Sequence, residues 1–76
     1  MTCCLMFRND LAKHNSRFYR VEICANLFQE FSVLREWGRV GGKGQQIIRL
    51  FPDLLSASHA ADRVRKANLR RGYLRA

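Results

Sequence analysis

Arg17-Phe18-Tyr19-Arg20-Val21-Glu22-Ile23-Cys24-Ala25-Asn26-Leu27 is the stretch that decides the fold. In an extended chain Tyr19, Val21, Ile23, Ala25 and Leu27 fall on one side, and Arg20, Glu22, Cys24 and Asn26 on the other. A period of two with the apolar residues on one side marks a half-buried β-strand. Phe28-Gln29-Glu30 follows as a tight connection, and Phe31 to Val40 reads as the second strand of a hairpin. Its alternation places Phe31, Val33 and Trp37 on one face together with Arg35 and Arg39. An apolar stripe that runs into arginines predicts a core face that opens to solvent near the end of the strand.

Beyond this hairpin, Gly41-Gly42-Lys43-Gly44 reads as a turn, since three glycines in four residues do not sustain a strand. Gln45 to Phe51 is a third long strand, and Pro52 stops it because proline has no N–H to donate. Asp53 is a good N-cap for a helix in which Leu54, Ala57, Ala61 and Val64 form an apolar stripe. His59, Arg63, Lys66 and Arg70 recur on another face, six basic residues and no acidic one lie from Arg63 onward, and Gly72 suits the C-terminal cap. Upstream, Leu5 to Arg8 reads as a short edge strand and Asn9 to Ser16 as a loop. The expected architecture is a single α+β domain over residues 1–76, a small antiparallel sheet of about four strands with one C-terminal helix packed on it.

A chain of 76 residues has a small core, because a domain of this size buries only about 60% of its unfolded surface. That leaves little room for an enclosed active site. Fourteen Lys and Arg stand against six Asp and Glu, a formal net charge of +8, and eleven of the fourteen are Arg. A pI near 10.5 with guanidinium as the dominant cation points to a polyanionic partner, nucleic acid first. Cys3, Cys4 and Cys24 form no even disulfide set, and neither a Cys-x-x-Cys nor a His pair has metal-ligand spacing. The start, Met1 to Phe7, lacks a basic n-region, and no run approaches the roughly 20 apolar residues of a membrane span. The expectation is a cytoplasmic protein with free thiols, without cofactor or metal.

The glycine turn fails the tests for nucleotide loops. From Gly38 to Gly42-Lys43 the spacing is one residue short of a Walker loop, and Gly44 stands where the magnesium-binding hydroxyl belongs. Ile47 occupies the place of the last glycine in a dinucleotide fingerprint. Backbone N–H groups of the turn can cradle one phosphate as an anion nest, but a plain hairpin turn is the preferred reading. His14, His59 and Cys24 form no nucleophile–base pair in sequence, and Glu22, Glu30 and Glu36 stand among arginines as cross-strand partners. No enzymatic activity is expected.

The lone tryptophan has two readings, a core ring or a stacking platform. Arg35 and Arg39 flank it at two residues on either side and share its face. A buried face does not usually take two unpaired guanidiniums, and an aromatic ring between cations is how single strands and ends are gripped.

Trp37-Gly38-Arg39 resembles the tripeptide that names the WGR domain family, and the likeness runs from Phe31 to Gly44. Arg17-Phe18-Tyr19 and Arg70-Arg71-Gly72-Tyr73 resemble the stand-alone bacterial members, so about residues 5 to 75 are covered. The resemblance implies an antiparallel sheet with one helix packed against it. It also implies DNA contact at a break, as in the WGR domain of eukaryotic poly(ADP-ribose) polymerases. Carried over, Trp37 would stack at the DNA end, Arg39 would bind backbone or relay the contact to a partner domain, and Gly38 would allow close approach. These residues hold no polymerase catalytic domain, so ADP-ribosylation does not follow.

The sequence thus predicts a non-catalytic nucleic-acid-binding module for DNA ends or single strands. Its expected contacts are Arg35, Trp37, Gly38, Arg39 and Lys43, with Arg63, Lys66 and Arg70 extending the basic track. The alternative is a protein–protein adaptor that uses the same Trp-Gly-Arg surface, including a homodimer formed through an exposed hairpin edge. Binding to an anionic lipid surface is a third, weaker reading.

Overall fold

The computed structural model describes residues 2–76; Met1, the first residue of the predicted domain, lies outside them. Five strands and one helix follow in the order β1 (Thr2–Asp10), β2 (Asn15–Ala25), β3 (Phe31–Arg39), β4 (Gln45–Phe51), α1 (Leu54–Arg70) and β5 (Leu74–Arg75). The strands form one antiparallel sheet in the order β4-β3-β2-β1-β5. This is the α+β arrangement expected, with a fifth strand added.

The alternation of β2 sets the core. Tyr19, Val21 and Ile23 are buried together with Met6 of β1, Val33 of β3, Ala57 of α1 and Tyr73. Helix α1 lies across β2 and β3 and touches β4. Ala57 is fully buried, and a side chain that small lets the helix backbone come close to the strands. Ala61 and Val64 pack against the same cluster, whereas Leu54 is 41% exposed, so the buried stripe begins one turn later than predicted and ends at Asn68.

Several boundaries differ from the prediction for local reasons. Strand β1 covers nine residues rather than four, and its ladder with β2 runs on through Asn9–Ser16 and Asp10–Asn15. These pairs are polar on both faces, so no alternation announces them. Only residues 11–14 form the loop, held by Asp10 Oδ1, which accepts from the Lys13 N–H, with His14 at φ 52°. Nor is β1 an edge strand, because β5 pairs with it at Met6 and Phe7 and leaves the long edge to β4. At the other end of β2, Ala25 and Leu27 face solvent rather than the core. The chain turns there because Asn26 Oδ1 accepts from the N–H groups of Phe28 and Glu30, and Glu30 O accepts from Asn26 N–H.

The helix ends as its sequence requires. Asp53 Oδ1 accepts from the Ser56 N–H at 2.7 Å and caps the start. At the other end Gly72 adopts φ 94°, Gly72 N–H donates to Leu69 O, and Tyr73 N–H donates to Asn68 O. This Schellman closure reverses the chain, drops the Tyr73 ring into the core and leaves Leu74–Arg75 alongside β1. The face of the sheet away from α1 stays uncovered and carries exposed Leu5, Phe7, Ile48, Leu50 and Leu74. No helix among the described residues is long and apolar enough to cross a membrane.

The Asp53 cap gives a pH-dependent test. Its bonds with Ser56 hold the carboxyl below the ordinary value of 3.8. A carboxyl lowered by folding contributes stability that is complete above its unfolded value and lost as pH falls through its folded value. Urea melts at neutral pH will show Asp53→Ala unfolding earlier than wild type. The gap between the two proteins will shrink in melts taken below about pH 3.8, and a gap that stays constant into acid would refute the assignment.

Candidate nucleic-acid interface

On the helix side of the sheet, the cross-strand register stacks rows of residues. Met6, Tyr19 and Trp37 sit opposite one another on β1, β2 and β3. The next row outward is Arg8, Arg17 and Arg39. Like charges placed directly opposite repel, and three guanidiniums on three neighbouring strands are an arrangement that an anion would relieve.

The rings in the first of these rows are fixed by the core. Trp37 stacks on Tyr19 with centroids 5.7 Å apart and an interplanar angle of 13°. Tyr19 meets Tyr73 edge-on at 6.1 Å and 81°. Arg35 Nε donates to the Tyr19 hydroxyl at 2.9 Å, which holds the Arg35 guanidinium 5.9 Å from the Trp37 ring centroid. At the far end Arg8 lies 5.4 Å from the Tyr73 ring centroid and donates through Nη1 to Arg71 O. Each aromatic contact contributes about 0.5–1.5 kcal/mol beyond the area it buries. Trp37 packs on the core cluster and yet remains half-buried.

Two cavities meet at Trp37. One, of about 500 Å3, lies against the turn after β3 and is lined by Arg17, Arg39, Lys43 and the backbone from Gly38 to Gly42. The other, of about 390 Å3, lies toward the end of α1, with Arg8, Arg17, Arg35, Arg71, Tyr73 and Asn68 around it. Trp37 and Arg17 line both, and neither cavity has a carboxylate in its wall. Asn68 is 2% exposed; its Nδ2 donates to Val64 O, while its Oδ1 has no hydrogen-bond partner among the described residues.

The carboxylates are committed elsewhere. Arg20 pairs with Glu22 at 3.0 Å and Glu36 at 3.1 Å on the open face of the sheet. Asp62 binds Arg65 and Lys66 on the helix. Among the described residues, Arg8, Arg17, Arg35, Arg39 and Arg71 enter no salt bridge. The Cys24 thiol donates to Glu22 Oε1, and that bond together with partial burial pushes its pKa up, away from a nucleophilic thiolate.

Of the residues selected from sequence, Arg35, Trp37, Gly38, Arg39 and Lys43 come together around these two cavities. Arg63 lines a separate groove beside β3 and β4, and Lys66 and Arg70 line neither cavity at Trp37. Sequence reasoning passed over Arg8, Arg17, Arg71 and Tyr73. The alternation of β2 already put Arg17 on the Tyr19 side, but its neighbours Arg8 and Arg39 follow from strand register. The glycine turn closes on the bond from Gly42 N–H to Arg39 O, while Val40 N–H donates across to Ser16 O of β2. Both groups are taken up within the fold, as in a plain turn.

Gly38 acts on the opposite side of the strand from its motif neighbours. A Cβ there would come within 3.0 Å of Gly44 Cα and 3.3 Å of Lys43 O. The glycine lets the chain after the turn pass close to β3.

An antiparallel sheet backed by one helix, with guanidiniums around a half-buried tryptophan, defines the chain as a small α+β domain. The WGR domain profile matches residues 2–76, and the chain belongs to that family. It is 40% identical over 58 residues to an uncharacterized protein of Sinorhizobium fredii, a match that takes in 63% of this chain and 28% of the relative. A crystal structure of a Bacteroides fragilis protein superposes with a TM-score of 0.80 over 99% of this chain, at 17% identity, and the match covers 19% of that protein. The chain thus corresponds to a minor part of each of these longer proteins.

The Gly38 geometry is testable through stability. Gly38→Ala has to displace backbone at Gly44, and overpacking of this kind costs about 1–3 kcal/mol. Chemical denaturation will report the loss; a variant as stable as wild type would show that the turn yields freely.

Proposed function

We propose that this chain is a non-catalytic nucleic-acid-binding module that takes DNA ends or single strands at Trp37. The observation that carries the reading is the half-buried ring set between two cavities whose walls hold guanidiniums and no carboxylate. Membership of the WGR family supports the same ligand class. An indole fixed by Tyr19 offers a flat surface to a base or sugar without further ordering, and stacking of this kind is worth about 1–3 kcal/mol per base. Arg17, Arg39 and Lys43 on one side and Arg8, Arg35 and Arg71 on the other supply phosphate contacts, with guanidinium forks matched to phosphate oxygens. Arg63, Lys66 and Arg70 add positive potential along α1. Neither cofactor nor metal has a part in this chemistry.

A protein-binding reading different from the adaptor expected on the Trp-Gly-Arg face draws its support from the other side of the sheet. There the exposed apolar residues Phe7, Ile48, Leu50 and Leu74 surround the internally paired Arg20, Glu22 and Glu36. A surface of that composition suits protein rather than phosphate, and it leaves the Trp37 face free for nucleic acid.

Binding of a labelled hairpin DNA across a range of salt concentrations tests the proposal. Trp37→Ala will weaken binding by about tenfold or more. Arg39→Ala, whose side chain is exposed, will lower the slope of log affinity against log salt by about one. Wild-type affinity that is flat with salt, or equal affinity for both variants and wild type, rules the proposal out.

A further inference from the structure

Strand β4 extends beyond the cover of α1, and its residues Gln45 to Leu50 are all exposed. Between α1 and the β3–β4 ribbon runs a groove of about 190 Å3 with Val33, Phe51 and Val64 at its base. Three guanidiniums, those of Arg35, Arg49 and Arg63, line it, and no carboxylate does. None of the three enters a salt bridge among the described residues. Arg49 and Arg63 thus add two unpaired cations to those around Trp37.

The two groups are continuous. Arg35 lines both this groove and the cavity under Trp37. Along β3, Arg39, Trp37, Arg35 and Val33 are successive residues of one face, and Arg49 sits opposite Val33 on β4. Same-face positions repeat every two residues, about 6.8 Å. The path from Arg39 over the Trp37 ring and past Arg35 to Arg49 therefore advances in three such steps, about 20 Å in all. At its Arg49 end the helix forms one wall, from which Arg63 lines the groove.

We infer that the Arg35–Arg49–Arg63 groove is a second phosphate subsite that receives a single-stranded segment leading away from the nucleotide stacked on Trp37. The inference rests on the nucleic-acid reading of Trp37 and deepens it. The preferred ligand becomes an end that carries a few unpaired nucleotides. A duplex is too stiff and too wide to follow a groove between a helix and a strand ribbon. A single strand turns freely, lays phosphates on cations and rests its bases on apolar surface, which is how basic grooves track such strands. An acidic peptide could also use three guanidiniums. The sharing of Arg35 with the stacking site and the regular steps along β3 favour the polynucleotide.

The experiment compares a blunt hairpin duplex with the same hairpin carrying an overhang of about four nucleotides on its 5′ or its 3′ strand. The quantity read is the ratio of overhang to blunt affinity, by fluorescence anisotropy at fixed salt. Wild type will favour one overhang by about tenfold, and the salt slope for that ligand will be steeper by about 1–2, as expected for added single-strand phosphate contacts. In Arg49→Ala and in Arg49→Ala/Arg63→Ala the ratio will fall toward one. Both side chains are exposed, and thermal melts will verify that the variants fold. Equal wild-type affinity for blunt and overhang ends overturns the second subsite while leaving Trp37-dependent binding of the blunt end standing. A ratio unchanged by the Arg49 and Arg63 substitutions also overturns it. So does a glutamate-rich peptide that binds with the same dependence on Arg49 and Arg63 when the overhang adds nothing. Failure of every DNA to bind removes the Trp37 reading and this one together.

Discussion

The contact on which the rest depends is the stack of Tyr19 on Trp37. Tyr19 is a core residue, 5% exposed, at the centre of the alternation that defines β2. One face of its ring carries Trp37, its edge meets Tyr73, and its hydroxyl receives Arg35. The same side chain therefore closes the core, positions the platform and aims a guanidinium over it. An indole held this way loses little freedom when a ligand arrives, which is the main means by which a shallow surface site gains affinity. The Schellman turn at Gly72 belongs to the same device, because it delivers Tyr73 to the far side of Tyr19 and brings Arg71 beside Arg8.

The sheet also sorts charge. Glu22 and Glu36 neutralise Arg20 on the open face, and Asp62 is taken up by two cations on the helix. What remains on the helix side around Trp37 is an uncompensated set of arginines, with Arg8, Arg17 and Arg39 in direct cross-strand apposition. Such a row opposes folding in a domain whose core, among the described residues, comprises seven buried apolar side chains. Local rules tend to be broken where a protein needs something other than stability, and under the proposed function a bound polyanion would convert this repulsion into binding free energy. The two sides of the sheet differ in kind, cationic around Trp37 and apolar on the open face.

Much of the fold was legible because its cues are local. The period of two at Tyr19, Val21 and Ile23, the stop at Pro52, the cap at Asp53 and the reversal at Gly72 are each written within a few residues. Leu27 misled because it continues the alternation after Asn26 has already closed the turn. Strand β5 is two residues long, too short for any periodic signal. The site was legible where one strand holds it, as with Arg35, Trp37 and Arg39. It was not legible where register assembles it. The alternation of β2 puts Arg17 on the Tyr19 face, but nothing local says that Arg8 and Arg39 lie opposite it, because register alone sets those partners. The paired length of β1 and β2, unseen because its outer pairs are polar, decides that register.

The Trp-Gly-Arg tripeptide is best understood as two residues that share the helix-side face, separated by a structural one on the other face. Alternation in β3 points Trp37 and Arg39 to the helix side and turns the Gly38 position to the other. There a side chain would strike the backbone at Gly44. Gly44 is under the reciprocal constraint, since its own Cβ would come within 3.2 Å of Trp37 O and the Phe18 ring. The two glycines let the outgoing chain return against β3, which places Lys43 and the turn backbone in the wall of the Trp37 cavity. On this geometry, close approach at Gly38 is between two parts of the same chain. The motif is contiguous because a strand presents every second residue to one face, and here the residue between serves the fold.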